Sequence, residues 1–430
     1  MSRYKRYEGY KDSGVEWIGE IPEHWGIIKL KFLSTIFKGK NPQELTDEWR
    51  EEFLPYLSME YLRNSGDTLT LYAYPEKNLV TVNNSDILIL WDGSNAGEIV
   101  EGKNGILSST MAKIVPNNIV TRYLYWFLKG IEKFFKDNTV GMGIPHVNGE
   151  TLKNHLVLLP NLQDQNSIAN FLDQKTAEID GLIADKEKLI ELLQEKRQAI
   201  ITEAVTKGLN QNVKMKDSGI EWIGEIPEHW EVKRIKYLAT VNPNKSEVRH
   251  LPSEQEVTFI PMEKIIATGK VDYSLTNTIE NLINGYTYFR DGDIIMAKVT
   301  PCFENGNIAI VNGLLNGIGF GTTELHVLRC NNKCYNRFLF YYLQSDIFKS
   351  KGISEMYGVA GLKRIPTDFI LNYKLGIPDY QEQEQIALYL DNITGKIDTL
   401  ISDIQTQIDK LREYRQSIIS EAATGKIKVL

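Results

Sequence analysis

Two stretches of the chain carry apolar residues at alternating spacings of four and three, the stripe of a long helix with one narrow buried seam. In the later stretch the stripe runs Ile386, Leu390, Ile393, Ile397, Leu400, Ile404, Gln407, Leu411, Tyr414 and Ile418. In the earlier one it runs Ile168, Leu172, Lys175, Ile179, Leu182, Lys186, Leu189, Leu193, Lys196 and Ile200. Pro160-Asn161 and Pro378-Asp379 supply breakers and N-caps, Glu382 follows Asp379 at capping-box spacing, and Gly208 and Gly425 supply stops. The spacing predicts helices over 161–208 and 379–430. At about 1.5 Å per residue, some 40 residues make a rod of roughly 60 Å, far beyond the mean globular helix. Neither seam is stable in water alone, so the two helices are expected to pack on each other as an antiparallel coiled coil. The polar seam residues Lys175, Lys186, Lys196 and Gln407 either fix the register or lay their stems along the partner's apolar surface.

The segments between these helices follow a different rule. Short apolar runs bounded by turn residues predict strands at Asp86–Trp91, Met111–Val115, Leu156–Leu159, Asp293–Lys298, Glu324–Arg329 and Tyr373–Ile377. Helical periodicity fits Thr121–Lys136 and Tyr335–Lys349, and Gly- and Asn-rich stretches such as Gly102–Gly105 and Asn312–Gly321 read as turns or binding loops. Each is a mixed α/β module.

The modules are copies. Lys11–Trp25 and Lys216–Trp230 differ only at Val15/Ile220, and residues 159–206 match 377–424 at 23 of 48 positions. This divides the chain into a first module (1–160), a first long helix (161–208), a second module (209–378) and a second long helix (379–430). Beginnings and ends are kept while the middles diverge, as expected if one scaffold carries two different readers, although drift of surface loops would look similar.

Composition removes several function classes. The chain is 42% hydrophobic and 24% charged, and no run approaches the roughly 18 apolar residues of a membrane span. The N-terminus reads Met-Ser-Arg-Tyr-Lys-Arg rather than a signal-peptide core, and three cysteines make no disulfide framework, so a cytoplasmic location is expected. Net charge is −7, and residues 1–160 carry 18 basic against 20 acidic side chains, so any nucleic-acid-facing patch must be local. The phosphate-binding glycine loop ending in Gly-Lys-Ser/Thr does not occur; Gly317–Thr323 lacks the lysine. Asn41-Pro42 and Asn242-Pro243 are followed by Gln43 and Asn244 rather than by the Pro-aromatic of an amino-methyltransferase motif. His326, Cys330 and Cys334 lack a fourth ligand and the tight spacing of a zinc site, so no metal is expected. His24 and His229, each before a tryptophan in the repeated phrase, are expected to be structural, and the phrase to buttress each module.

The phrase I-P-x-x-W opening each module, Q-x-Q-x-x-I-A-x-x-L-D and I-D-x-L-I opening each long helix, and I-I-x-E-A near both helix ends (Ile200–Ala204, Ile418–Ala422) form one pattern. With Ala297–Asn307 (A-K-V-T-P-C-F-E-N-G-N) and Gly319–Leu325 (G-F-G-T-T-E-L), it resembles the specificity subunit of type I restriction-modification systems. The resemblance implies an α+β chain: two tandem mixed α/β target recognition domains separated by two long helices, packed as an antiparallel coiled coil, with pseudo-twofold organisation. It implies a non-catalytic reader of double-stranded DNA that binds two modification subunits, joined in the full complex by restriction subunits. No cofactor is expected on this chain; S-adenosylmethionine, ATP and Mg would sit on those partners. Each domain would read half of a bipartite, asymmetric target, with helix length setting the spacer. By motif position and chemistry, the DNA-binding candidates are Lys38, Lys40, Ser108, Ser109, Thr110, His146 and Asn148 in the first domain. In the second they are Lys298, Thr300, Asn305, Thr322, Thr323, Lys363 and Arg364. The seam residues singled out are Leu172, Ile179, Leu182, Leu193, Ile200, Leu390, Ile397, Leu400, Ile404, Leu411 and Ile418. The rival to this reading is a coiled-coil scaffold with two protein-binding heads.

Overall fold

The computed structural model describes residues 4–16, 18–63, 69–266, 269–359 and 362–429. Trp17 of the first repeated phrase lies outside them. The chain forms two compact units, Met1–Lys186 with Thr406–Leu430, and Glu187–Gln405.

In the first unit a four-stranded antiparallel sheet has the order Ser34–Lys38, Met111–Pro116, Ile87–Leu90, Ile99–Glu101. The central strand Ile87–Leu90 is buried on every residue, as its unbroken apolar run requires. A second sheet orders Tyr72–Ala73, Leu54–Leu57, Gly105–Leu107, Thr81–Val82, with Leu54–Leu57 parallel to Gly105–Leu107. The second unit repeats this plan. One sheet orders Ala239–Val241, Leu325–Cys330, Ile294–Ala297, Ile308–Ile310; the other orders Thr276–Thr278, Glu256–Ile260, Ile318–Gly321, Thr287–Arg290, with Glu256–Ile260 parallel to Ile318–Gly321. The unlike middles thus share one topology. In each unit the strand before the long helix pairs with the one after the repeated phrase: Leu156–Leu159 with Gly26–Lys29, and Lys374–Ile377 with Glu231–Arg234.

The helices expected over Thr121–Lys136 and Tyr335–Lys349 are each broken. The first splits into Thr121–Gly130 and Glu132–Asp137, with Gly130 packed at van der Waals distance on Ile419 and Ser420. The second splits into Asn336–Gln344 and Asp346–Ser354. Its break falls at Ser345, which is extended, and its Oγ accepts from Phe348 N. Serine favours this capping geometry over a place in a helix interior.

The long helices run unbroken over Leu162–Lys207 and Tyr380–Ala423. Within the first unit, Arg415 pairs with Asp180 (2.7 Å) and Lys186 Nζ donates to Gln407 (2.6 Å), so the segments are antiparallel. Within the second, Arg197 pairs with Asp398 (2.9 Å), while Ile201 and Val205 share a core with Ile386 and Leu390. Of the seam residues, Leu172, Ile179, Leu390, Ile397, Ile404 and Ile418 are buried, and Leu193, Ile200 and Leu411 are half-buried. Leu182 and Leu400 are not seam residues. They are 50% and 46% exposed, while the neighbouring Ile183 is buried and Ile401 half-buried. Ile190, Arg197, Ile408 and Arg415 likewise point inward more than Leu189, Lys196, Gln407 and Tyr414. The buried series passes through Ile168, Leu172, Thr176, Ile179 and Ile183, and in the second helix through Ile386, Leu390, Thr394 and Ile397, with Ile401 half-buried next in line. Two consecutive steps of four at the start move every second seam position on by one residue, while Ile179, Leu193, Ile397, Ile404 and Leu411 keep their expected places. Buried Thr176 and Thr394 are tolerated because each hydroxyl bonds back to a carbonyl four residues earlier, at Leu172 and Leu390.

The repeated phrase clamps the start of each long helix. Trp25 and Trp230 are fully buried, which at about 25 cal/mol per Å2 contributes roughly 4–6 kcal/mol gross for each ring. Trp25 Nε1 donates to Asp164 (3.3 Å) and His24 Nε2 lies 2.8 Å from the same carboxylate. Trp230 Nε1 and His229 Nε2 meet Glu382 in the same way, at 3.2 and 2.8 Å. The carboxylate therefore satisfies a buried indole at a helix N-terminus, where negative charge is favoured. Among the described residues no helix is long and apolar enough to cross a membrane.

Candidate nucleic-acid interface

Most of the sequence-selected residues of the first unit converge at one end of its antiparallel sheet. Strand Ser34–Lys38 ends there and Met111–Pro116 begins there, with Lys38 opposite Ala112. Trp91 and Asp92, just past the strand Ile87–Leu90, both donate their N–H to Thr110 O (2.7 and 3.2 Å). Lys38 Nζ sits 3.1 Å from Asp92 and 5.5 Å from the Trp91 ring centroid. Gly39 packs so tightly on Ser108 that a Cβ would lie 2.0 Å from its carbonyl oxygen; only glycine allows this approach. Beyond it Lys40 is exposed. The hairpin Thr139–Val140/His146–Val147 joins the same edge, since Gly93 N donates to Pro145 O and Val147 N to Trp91 O.

Two candidates are used internally and a third, His146, is half-buried. Ser108 is only 3% exposed and its Oγ is 2.8 Å from Thr110 Oγ1, so its side chain is not presented to a ligand. Asn148 caps the helix Gly149–Asn154, its oxygen accepting from Glu150 N and Thr151 N. His146 is half-buried within its hairpin. Lys40 and Thr110 are exposed, and Ser109 half-buried. Asn41, not singled out from the sequence, organises the turn: its oxygen accepts from Tyr56 Oη (2.8 Å) and Ser109 N (3.3 Å).

The second unit builds the corresponding end from different residues. Lys298 follows strand Ile294–Ala297, and its N–H donates to Glu324 O. Thr300 and Lys363 bond reciprocally, Thr300 N to Lys363 O (3.0 Å) and Lys363 N to Thr300 Oγ1 (3.1 Å). The hairpin Tyr357–Val359/Leu362–Arg364 thereby joins the sheet end, as its counterpart does in the first unit. Arg364 is held bidentately by Glu324 (2.8 and 3.0 Å), which keeps that carboxyl below its usual range. Thr322 Oγ1 accepts from Glu324 N, Thr323 and Lys363 are exposed, and Lys298 is half-buried. Asn305 is not part of this group. It lines a hollow with Lys270, Gln344 and Lys349.

His326 is buried beneath the site, its Nε2 3.0 Å from Ile365 O and its Nδ1 3.5 Å from Asn242 Nδ2. Burial pushes its pKa down to about 4, so it is a neutral strut at pH 7. Cys330 and Cys334 have their sulfurs 3.7 Å apart. Asn242, in the left-handed region at φ 52°, also accepts from Val327 N and so ties the end of its strand. The paired Asn-Pro dipeptides at 41–42 and 242–243, read from the sequence only as lacking a methyltransferase motif, are the signal that could have found both Asn roles.

A sheet end with exposed Lys and Thr and a half-buried Ser beside a hairpin suits the edges and phosphates of a duplex. The type I restriction modification DNA specificity domain matches residues 22–192 and 227–410. The type I restriction enzyme MjaVIII specificity subunit of Methanocaldococcus jannaschii is 33% identical over 95% of this chain and 94% of its own. The EcoAI specificity subunit of Escherichia coli is 40% identical over 199 residues, 45% of this chain and 33% of its own. Two solved structures share the fold. One, from work on complex assembly and conformational transition of the type I restriction-modification system, gives a TM-score of 0.64 at 15% identity, covering 94% of this chain and 98% of that one. The other, the HsdS subunit of Thermoanaerobacter tengcongensis, gives 0.50 at 13% identity, covering 95% and 98%. With both modules matched and a relative this similar along nearly its whole length, the chain belongs to the family of type I restriction-modification specificity subunits.

Proposed function

We propose that each sheet end reads one half of a split DNA target, and that the chain itself is non-catalytic. The observation that carries this reading is that both units build the same strand-end and hairpin arrangement from different side chains. Lys38, Lys40, Ser109 and Thr110 in one unit face the task that Lys298, Thr300, Thr323, Lys363 and Arg364 face in the other. Unlike side chains on one frame fit an asymmetric target. The lysines and Arg364 would hold phosphates or guanine edges, and the hydroxyls would hold phosphates.

The chain's net charge of −7 leaves little long-range attraction for DNA. Tight binding therefore requires partners to clamp the backbone, and we assign that role to two modification subunits, which would also carry S-adenosylmethionine. Restriction subunits with ATP and Mg would complete the assembly. Two quasi-equivalent docking surfaces are available in the repeated phrases with their clamped helix starts. Reconstitution tests this reading. One copy of the chain should bind two modification subunits and only then retain a target duplex over scrambled DNA at physiological salt. A one-to-one complex, or tight salt-insensitive binding by the chain alone, contradicts it.

A further inference from the structure

The hairpin of the first unit ends in a tip that water does not favour. Its strands pair Thr139 with Val147 and Val140 with His146. Its base is fastened to the sheet end by Gly93 N to Pro145 O (2.9 Å) and Val147 N to Trp91 O (2.8 Å). Between them the sequence reads Gly141-Met-Gly-Ile144, and no Lys, Arg, Asp or Glu occurs from Thr139 to Val147. Met142 is fully exposed and Ile144 is 69% exposed. Gly141 and Gly143 hold φ of 114° and 99°, a region that L side chains avoid. At Gly141 a Cβ would also fall 2.7 Å from Ile144 O and 2.8 Å from His146 Nδ1, so the tip is held narrow.

A narrow, uncharged finger beside Lys38, Lys40 and Thr110 cannot hold phosphates by charge. Its chemistry instead matches the flat apolar faces of stacked bases. We propose that this tip is a wedge that enters the duplex at the first half-target, the Met142 side chain sliding between adjacent base pairs and Ile144 packing against the groove edge. Apolar wedges of this kind unstack a base step and kink DNA. Methionine suits the role because its unbranched, polarizable side chain adapts to the opening. The proposal rests on the reading of this sheet end as a DNA interface.

The test uses the complex with its modification subunits and duplexes carrying 2-aminopurine at successive positions of the first half-target. The unmodified complex should raise the fluorescence at one step by unstacking it. Met142→Ala with Ile144→Ala should abolish that rise and weaken target binding about tenfold or more, with the salt dependence unchanged because no counterion is released by an apolar contact. Met142→Leu should keep the signal, which separates a wedge from a folding defect. Lys38→Ala with Lys40→Ala should instead flatten the salt dependence and keep the fluorescence rise. Selective target binding without unstacking at any step, or an alanine variant that keeps both signal and affinity, overturns the wedge alone. Failure of the unmodified complex to distinguish target from scrambled DNA overturns the underlying interface reading with it.

Discussion

Asp164 and Glu382 show how single residues hold each module to its helix. Each carboxylate accepts from a buried indole and lies beside a histidine ring, so removing it leaves a buried N–H unsatisfied. Asp164→Ala should lower stability by about 1–3 kcal/mol, read as a shift in the urea midpoint, whereas Asp164→Asn, which retains an acceptor, should lose less. Unchanged stability in Asp164→Ala would remove the clamp from the account. The buried histidines set a pH dependence. Burial pushes His155 and His326 down to about 4, while in the unfolded chain they titrate near 6.5. As pH falls through 6.5 the unfolded chain takes up protons that the folded chain refuses. Stability therefore falls between about pH 6.5 and 4, by up to ~3 kcal/mol for each residue, and levels off below. His326→Gln should remove about half of this slope in denaturant titrations at stepped pH. The repeated His-Trp phrase was legible as a structural device, but its partner carboxylates were not, because they lie about 140 residues away in sequence.

At the scale of elements, periodicity located the first long helix and the start of the second within a residue, while the second ends at Ala423 rather than 430, and every second seam position was placed one residue off. The sequence offers two adjacent apolar residues at Leu182-Ile183 and at Leu189-Ile190, and a strict heptad selects the leucine in each. The extra step of four to Thr176 and to Thr394 changes which member of each pair faces inward, and packing selected the isoleucines. Ile183→Ala should therefore cost about 2–4 kcal/mol while Leu182→Ala stays within about 0.5, measured by chemical denaturation of the isolated chain. Equal losses would restore the heptad seam. The strands were legible because unbroken apolar runs bounded by turns have few other solutions. The shared order of the second sheets was not, since Leu54–Leu57 and Glu256–Ile260 pair across long sequence gaps with no common motif. Candidate residues chosen by motif position gathered at the sheet ends. Ser108 and Asn148 were misread because small polar residues serve caps and turns as readily as ligands.

At the scale of the whole molecule, two recognition modules share two continuous helices, which fits target bases read by the modules and an unread gap set by the helices. Inserting one heptad into both helices should lengthen the gap in the recognised motif while leaving both half-sites unchanged. Changed half-sites at an unchanged gap would separate the helices from that role. The central claim is that each sheet end reads its own half. The measurement that tests it is base-resolution mapping of N6-methyladenine in the host genome with the gene intact, deleted, and carrying Lys298→Ala with Lys363→Ala. Deletion should erase one split, asymmetric motif, and the double variant should relax or lose the bases of one half while the other half remains specified. A methylome unchanged by deletion, or a variant that alters both halves alike, would contradict the assignment.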